Sequence, residues 1–331
     1  MQFAGLLRAI AIAAVSAGVT MLAGPQDAAA EYPTKPIRII IPYDAGGAAD
    51  LQARIVASTA PEYIGQAVLA SNRTGAAGVT GSNYVVRSKP DGYTLLLARV
   101  GSQAGVPAVN LNIPYKWNDY TFLGLLEKNP FVLVVNSKSD LHALTDIEAK
   151  LKKGEKLSYS TGGVATLPHI AMVMVLDGMG LKADAMTHVP YKGGGAAAAA
   201  LVGGHVDMFF QNLSGVIGQI QAGTLRALFV TTPERVKAIK DVPTVKEIGR
   251  PDLELAIGWS ALYGPKGLPQ EVVDKWVDTL QKLKKDKSWN RMTTKLGSIP
   301  AISSPSEMEK FAESQFKAMR VVAEKVGMII K

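Results

Sequence analysis

Short apolar runs, each followed by a small-residue turn and a helical stretch, recur along the chain. Residues 37–42 (IRIIIP) are apolar apart from Arg38, as in a strand that is covered on both faces, and residues 94–98 and 132–135 repeat this pattern. Four further strands are predicted at residues 157–160, 187–190, 208–210 and 227–230. Apolar positions at helical spacing predict two C-terminal helices, at residues 271–285 and 306–326. The alternation of strands with helices predicts an α/β fold with mainly parallel sheets.

The first thirty residues are predicted to be a secretion signal that is separate from this fold. Arg8 provides a positive n-region, an apolar run follows at residues 9–23, and three alanines at 28–30 fit the small-residue rule for cleavage after Ala30. An uncleaved membrane anchor is the alternative interpretation. The apolar run is shorter than the roughly 20 residues that a spanning helix needs, so we expect cleavage and export of the mature chain.

Composition excludes several classes of protein. Hydrophobic residues make up 47% of the 331 residues and charged residues 19%, which is the balance of a globular protein and not of a disordered or collagen-like one. The absence of cysteine excludes disulfides, thiolate metal sites, cysteine nucleophiles and a lipid anchor after the apolar run. The net charge of +8 is concentrated near residues 150–156 and 282–287, where acids and apolar residues are interleaved. These segments are typical of solvated helix faces, so no nucleic-acid partner is expected.

Two Gly-rich turns are candidates for binding an anion. Residues 45–48 (Ala45, Gly46, Gly47 and Ala48) follow the first predicted strand and lead directly into a helix. Residues 161–169 (TGGVATLPH) form a second such turn, in which Thr161 and Thr166 carry hydroxyls and His169 could donate a hydrogen bond. Helix N-termini bear free N–H groups and partial positive charge, which suit a carboxylate or a phosphate. Tight turns without a ligand, and a structural histidine, remain the alternatives.

Motifs for catalysis, cofactors and metals are missing or weak. Residues 193–198 match the dinucleotide pattern G-x-G-x-x-A, but the acidic residue expected about twenty positions later is absent. There is no nucleophile elbow and no phosphate-binding P-loop, and the four histidines lack the spacing of metal ligands. We therefore expect no cofactor, no metal and no enzymatic activity. Arg99, which ends an apolar strand, could either clamp a carboxylate or form an internal ion pair with a nearby Asp.

Motifs spread along nearly the whole chain carry a family resemblance. They are residues 32–37 (YPTKPI), 42–47 (PYDAGG) with Asp50, 72–75 (NRTG), 91–95 (DGYTL), 159–169, 190–193 (PYKG), 203–207 (GGHVD), 241–245 (DVPTV) and 264–269 (GPKGLP). With these motifs the chain resembles the substrate-binding receptors of the tripartite tricarboxylate transporter system, the Bug family of bacterial periplasmic proteins.

The resemblance implies a type II periplasmic binding fold, with two α/β domains joined by crossover strands and a ligand cleft between them. Residues 31–130 plus 260–331 are expected to form domain I and residues 131–259 domain II, with crossovers near 127–131 and 257–261. In the family, backbone amides of the first loop hold a carboxylate, which corresponds here to Tyr43 through Ala48. The second loop supplies hydroxyls and a histidine, matched here by Thr161, Thr166 and His169.

Departures from the family pattern bear on the ligand. Gln211 stands where the family often has Asp, Arg99 replaces a small hydroxyl residue, and Ala165 replaces a common Gly. The loss of an anion and the gain of a cation favour a ligand with two carboxylates and no amine. We therefore expect a C4 to C6 dicarboxylate such as malate, succinate or adipate.

The expected role is that of a monomeric periplasmic receptor. It would close on its ligand like a flytrap and deliver it to the membrane permease subunits of a tripartite tricarboxylate transporter. The alternatives are a receptor for an aromatic carboxylate or a tricarboxylate, and a sensor subunit for a membrane kinase. An exported enzyme would need an acid/base pair, for which only His169 with a loop acid such as Asp44 is on offer.

Overall fold

A computed structural model describes residues 31–164, 166–191, 193–325 and 327–331. The predicted signal segment, its cleavage site after Ala30, and Ala165 of the second loop lie outside the described residues. Within the described ranges, no helix is both long and apolar enough to cross a membrane.

Strands and helices alternate along most of the described chain. The strands are β1 (Ile37–Ile41), β2 (Val68–Asn72), β3 (Thr94–Arg99), β4 (Tyr120–Asn136), β5 (Ser158–Thr161), β6 (Thr187–Pro190), β7 (Met208–Asn212), β8 (Leu225–Val230), β9 (Ile257–Pro265) and β10 (Ile299–Pro300). The helices are α1 (Ala48–Thr59), α2 (Pro61–Ile64), α3 (Val79–Val86), α4 (Val106–Val109), α5 (Leu144–Lys152), α6 (Leu167–Gly178), α7 (Gly194–Val202), α8 (Ile217–Gln221), α9 (Gln270–Lys285), α10 (Lys287–Lys295) and α11 (Pro305–Lys325). The strands and the two C-terminal helices predicted from the apolar pattern are confirmed.

The strands pair in the order β2-β1-β3-β9-β4-β7-β5-β6, and β8 and β10 also pair with β4. Pairing is parallel at the two flanks, among β2, β1 and β3 and among β7, β5 and β6. Every pairing of β4 and β9 is antiparallel. The expectation of mainly parallel sheets therefore holds at the flanks and is wrong at the centre, because local strand–helix alternation does not report which distant strands meet.

The long strand β4 joins two halves of the fold. Its residues 120–130 pair with β9, whereas residues 131–136 pair with β7 and β8. The sequence pattern predicted only residues 132–135, because Gly124, Glu127 and Pro130 interrupt the apolar run before them. The fold is thus the expected arrangement of two α/β domains joined by crossover strands. The domain limits at residues 130/131 and 259/260 remain a prediction.

Helices cover both faces of the sheet. On one face, Ile37, Ile39 and Ile41 of β1 pack with α1 and α9 in one apolar cluster. On the opposite face, Ile40 lies in a second cluster that includes residues of α3, α6 and α11. A third cluster packs α7 against β4 and β7. This layering leaves the carboxyl ends of the parallel strands free to carry loops, which is where ligands bind in open α/β sheets.

Candidate functional site

A cavity of about 210 Å³ lies among loops that follow strands of both halves of the sheet. Its wall includes residues after β1, β3 and β5, the starts of α6 and α7, and the end of β7. The lining residues are Tyr43, Asp44, Ala45, Gly47, Ala48, Ala49, Arg99, Val100, Gly101, Phe131, Gly162, Thr166, Leu167, Pro168, Gly193, Gly194, Gly195, Ala196, Gln211 and Asn212. The volume is smaller than the roughly 300–1,000 Å³ of drug-sized pockets, so the cavity fits a small molecule.

Three helix N-termini face this cavity. Helices α1, α6 and α7 begin after Gly47, Thr166 and Gly193, and residues of the first turn of each helix line the wall. None of the three N-cap residues makes a side-chain hydrogen bond to its own helix. The first N–H groups of a helix have no partner within the helix, and the helix dipole adds partial positive charge there. Together these termini make the cavity suited to an anion.

Small residues make two of these termini, those of α1 and α7, accessible. The first loop has Gly47 at its N-cap with Ala48 following, and the N-cap of α7 is Gly193 with Gly194 and Gly195 after it. Without bulky side chains, a ligand can approach the backbone N–H groups. The third Gly cluster, which formally matched a dinucleotide motif in the sequence, is thus part of this cavity wall.

A buried polar network braces the first loop. The Asp50 carboxylate is 3% exposed and accepts hydrogen bonds from the Gly46 backbone N–H (3.0 Å), Arg54 Nε (2.9 Å) and Asn72 Nδ2 (3.0 Å). Asn72 Nδ2 also donates to the Tyr43 carbonyl (3.0 Å). Burial opposes ionisation of Asp50, but the three hydrogen bonds outweigh it and lower the pKa of this carboxyl. Asp50, in the first turn of α1, therefore braces the first loop.

Arg99 is buried at the base of the cavity and is only 4% exposed. Its Nη1 donates to Glu127 Oε1 (3.0 Å) and to Ser260 Oγ (2.6 Å), and its Nη2 donates to Asn212 Oδ1 (3.0 Å). The ion-pair partner is Glu127 on β4, and not an Asp. A guanidinium has five N–H donors, so Nε–H and one N–H of Nη2 have no partner among the described residues. Arg99 is thus both internally paired and able to donate into the cavity.

Two amides of β7 complete this side of the site. Gln211 Oε1 accepts a hydrogen bond from the Asn212 backbone N–H (2.8 Å), and the Gln211 side-chain nitrogen packs against Gly194 so closely that a Cβ there would overlap it. Asn212 is 8% exposed and lines the cavity, and its Nδ2 is buried without a hydrogen-bond partner among the described residues. The Gln211 side chain can therefore donate a hydrogen bond at the cavity wall, whereas Asn212 acts through its Oδ1, which orients Arg99.

Seven of the ten residues predicted as ligand contacts line the cavity: Tyr43, Ala45, Gly47, Ala48, Arg99, Thr166 and Gln211. Gly46, Thr161 and His169 are not part of its wall. Gly46 is turned toward Asp50, as described above. The ligand-contact set as a whole remains a prediction.

Thr161 and His169 belong to a packed group behind the second loop. Thr161 Oγ1 donates to the Gly163 carbonyl (2.9 Å) and lies 2.7 Å from His188 Nε2. The His169 and His188 rings stack with centroids 3.9 Å apart, and Tyr159 stacks on His188 at 4.9 Å. Burial lowers the pKa of both imidazoles to about 4, and for His188 the neighbouring His169 adds to the effect. Both rings are therefore neutral at pH 7 and supply no positive charge to an anion.

Several lining residues were not predicted from the sequence. Phe131, Asn212 and the Gly193–Gly195 cluster all line the cavity. The Gly cluster could have been recognised from the sequence as a third anion-binding turn, because it leads directly into a helix as the first two turns do. Phe131 and Asn212 lie on strands, and only the pairing of β4 with β7, in which these two residues are opposite each other, brings them to the cavity. Within the described residues, no group of three or more His, Asp or Glu side chains could hold a metal ion.

Comparisons with known proteins agree with this arrangement. A family model described as a tripartite tricarboxylate transporter family receptor matches residues 52–328. BugT of Bordetella pertussis is 31% identical over 338 residues, and the match covers 100% of each chain. A solved periplasmic transporter is 34% identical with a TM-score of 0.85, and the match covers 91% of this chain and 100% of that one. An R. palustris protein solved with adipate is 26% identical with a TM-score of 0.84, and the match covers 90% and 99%. The chain therefore belongs to the tripartite tricarboxylate transporter receptor family, whose members are periplasmic solute-binding receptors and not enzymes.

Proposed function

We propose that this receptor binds a small organic dicarboxylate of four to six carbons, such as malate, succinate or adipate, in the 210 Å³ cavity. The ligand would then be delivered to the membrane permease subunits of a tripartite tricarboxylate transporter. The residues proposed to contact it include seven at the cavity wall: Tyr43, Ala45, Gly47, Ala48, Arg99, Thr166 and Gln211. Gly46, Thr161 and His169 complete the proposed set, although they are outside the cavity wall in this structure.

The observation that carries this proposal is the convergence of three uncapped helix N-termini on one small cavity. One terminus, that of α1, follows β1 in the first half of the sheet, and those of α6 and α7 belong to the second half. A ligand with a carboxylate at each end can accept hydrogen bonds from both halves at once. Such a ligand stabilises the closed arrangement, because only the closed state offers both sets of donors.

Arg99 supports a second carboxylate subsite. Glu127 balances the charge of the guanidinium, so Arg99 would contribute hydrogen bonds to a ligand rather than net charge. Two of its N–H groups have no acceptor among the described residues and would supply these bonds. Gln211 adds an amide donor beside it. Neutral donors and helix termini stabilise a carboxylate through hydrogen bonds and partial charges. Because no full positive charge is left unpaired beside it, the carboxylate can be released again.

The adipate-bound R. palustris relative supports this ligand class by analogy. Export to the periplasm, with cleavage after Ala30, fits a receptor of this kind. We further propose that it acts as a monomer, and that residues 31–130 plus 260–331 close against residues 131–259 like a flytrap.

A thermal-shift panel of organic acids tests the proposed function. Malate, succinate and adipate are expected to raise the melting temperature, because a ligand that binds only the folded state stabilises it by about 2.7 kcal/mol at one hundred times its Kd. Butyrate and hexanoate serve as monocarboxylates of matched length and should have much smaller effects. If no dicarboxylate raises the melting temperature, the proposed ligand class is wrong.

An aromatic carboxylate is a second candidate because Phe131 lines the cavity and stacks on Phe210 with ring centroids 5.8 Å apart. Benzoate and phthalate in the same panel separate the two candidates. A larger shift with benzoate than with adipate would favour the aromatic ligand. Citrate in the same panel tests a tricarboxylate ligand. A sensor role would instead require that a membrane kinase is recovered together with the liganded protein.

A further inference from the structure

A basic groove of about 800 Å³ lies apart from the ligand cavity and shares none of its lining residues. It is bordered by the start of β1, the segment from β2 to α3, and the α3–β3 connection. Its charged residues are the four cations Lys35, Arg73, Arg87 and Lys89 and the single acid Asp91.

The charge of this groove is not balanced within the described part of the chain. None of the four cations forms an ion pair there, although their side chains are exposed on one surface. The carboxylate of Asp91 accepts a hydrogen bond from the Tyr93 backbone N–H (3.0 Å). Four clustered cations with one acid create a positive potential that attracts an anionic partner.

Two of the cations are held on aromatic rings. The Arg73 guanidinium lies 4.0 Å from the centroid of the Tyr84 ring, and Lys35 Nζ lies 4.3 Å from that of Tyr93. Cation–π contacts of this kind limit the freedom of long side chains. Because these side chains are already restrained, less conformational entropy is lost when a partner binds. This is a property of a binding surface and not of side chains that only contact solvent.

The groove continues across the sheet toward an exposed apolar residue. Arg38 of β1 is opposite Thr94, which lines the groove, and also opposite Leu69 of β2. Residues in register on neighbouring strands share a face, so these three side chains form one row. Leu69 is 49% exposed, and it adds an apolar contact at the end of a basic surface.

We propose that this groove docks an acidic segment of a partner protein. The concave shape, the cations fixed on its walls and the apolar residue at one end fit an extended peptide with several carboxylates and one hydrophobic side chain. A flat membrane surface would instead be met by protruding, freely moving lysines. The proposal goes beyond ligand binding and does not depend on which carboxylate occupies the cavity.

Fluorescence polarisation with a fluorescein-labelled decaglutamate peptide at low ionic strength tests the proposal. The groove variant is R87E/K89E, and the matched control is K285E/K287E, which reverses two exposed cations at the α9–α10 junction on the opposite face of the sheet. The wild type and the control should bind the peptide alike, and the groove variant should bind it roughly tenfold or more weakly. The far-UV circular dichroism spectra of both variants should match that of the wild type, which shows that the fold is intact.

Three outcomes would overturn the docking proposal. The first is an absence of peptide binding to the wild type, and the second is an equal loss in the control variant, which would indicate net charge alone. The third is binding to phosphatidylglycerol vesicles that depends on Arg87 and Lys89 while the peptide does not bind, because the groove would then be a membrane contact. A milder variant, R87Q/K89Q, should show an intermediate loss and guards against misfolding of the charge-reversed protein.

Discussion

Arg99 combines two roles that its position in the sequence left open. The ion pair with Glu127 satisfies part of the guanidinium, and the remaining N–H groups can still serve a ligand. Removing one member of a buried ion pair leaves an uncompensated charge and costs about 3–5 kcal/mol, whereas replacing both members can be nearly neutral. Stability and binding can therefore be separated at this pair.

We expect R99M to lower the free energy of unfolding by about 3 kcal/mol or more, and R99M/E127Q to recover most of that loss. Neither variant should bind a dicarboxylate as tightly as the wild type, because the directional donors are gone. Urea unfolding and calorimetric titration with adipate measure the two effects. If R99M/E127Q is stable and binds adipate with wild-type affinity, Arg99 is purely structural.

Asp44 provides a second test at the scale of a residue. Its carboxylate is at the cavity wall, with Oδ2 2.6 Å from where a Cβ of Gly193 would lie. An acid beside a bound dianion repels it, so D44N should tighten succinate or adipate binding by roughly twofold to tenfold. Weaker binding by D44N would instead indicate that Asp44 receives a cationic group, and would contradict a ligand without an amine. Titration calorimetry at pH 7 distinguishes the two.

The stacked histidines predict a pH dependence of stability. Because burial lowers the pKa of His169 and His188 to about 4, the unfolded chain binds more protons than the folded one between pH 6.5 and pH 4. Stability therefore falls as the pH drops through this window, by about 1 kcal/mol or more per histidine once partial solvent contact is allowed for. H169Q/H188Q should flatten the curve, and H205Q, which removes an exposed histidine, should not. A melting temperature of the wild type that is unchanged from pH 7 to pH 5 would contradict this.

At the scale of single residues, the sequence allowed the glycines and hydroxyls of the loops to be recognised but not the strand residues behind them. Phe131 and Asn212 are neighbours only because β4 pairs antiparallel with β7, and Glu127 meets Arg99 only because β9 lies between β3 and β4. Such contacts depend on pairings between strands that are distant in the chain, and no local pattern reports them.

At the scale of elements, each of the three helices that begin at the cavity is preceded in the sequence by a turn that contains Gly. The turns predicted at residues 45–48 and 161–169 do lead into α1 and α6. What the sequence did not indicate was that a third helix, α7, points at the same place. Its Gly cluster resembled a dinucleotide motif, and the meeting of three termini follows from the sheet order β7-β5-β6.

The start of α7 gives a prediction at this scale. A Cβ at Gly194 would overlap the Gln211 side-chain amide, so G194A should displace that amide and weaken dicarboxylate binding by roughly tenfold. The control G218A adds a methyl group to α8, where the space around Gly218 is open, and should gain up to about 1 kcal/mol of stability from helix propensity with unchanged binding. Equal binding by both variants would contradict a role for the α7 terminus.

At the scale of the whole molecule, the long strand β4 runs through both α/β halves and connects them. Its residues 120–130 complete the first half and residues 131–136 the second, so no flexible linker separates them. The apolar rhythm predicted the class of fold, but only the family motifs indicated two domains with a cleft. The reason is that a crossover strand appears in the sequence as an ordinary strand broken by Gly, Glu and Pro.

Three helix termini and Arg99 are proposed to bind one ligand together, through carboxylates at both of its ends. Titration calorimetry of the wild-type protein with adipate and with hexanoate, which has the same carbon chain and one carboxylate, tests this proposal most directly. We expect adipate to bind roughly 10- to 150-fold more tightly, since the charge-assisted hydrogen bonds of a second carboxylate contribute roughly 1.5–3 kcal/mol. Equal affinities for the two acids, or binding of hexanoate alone, would contradict the account.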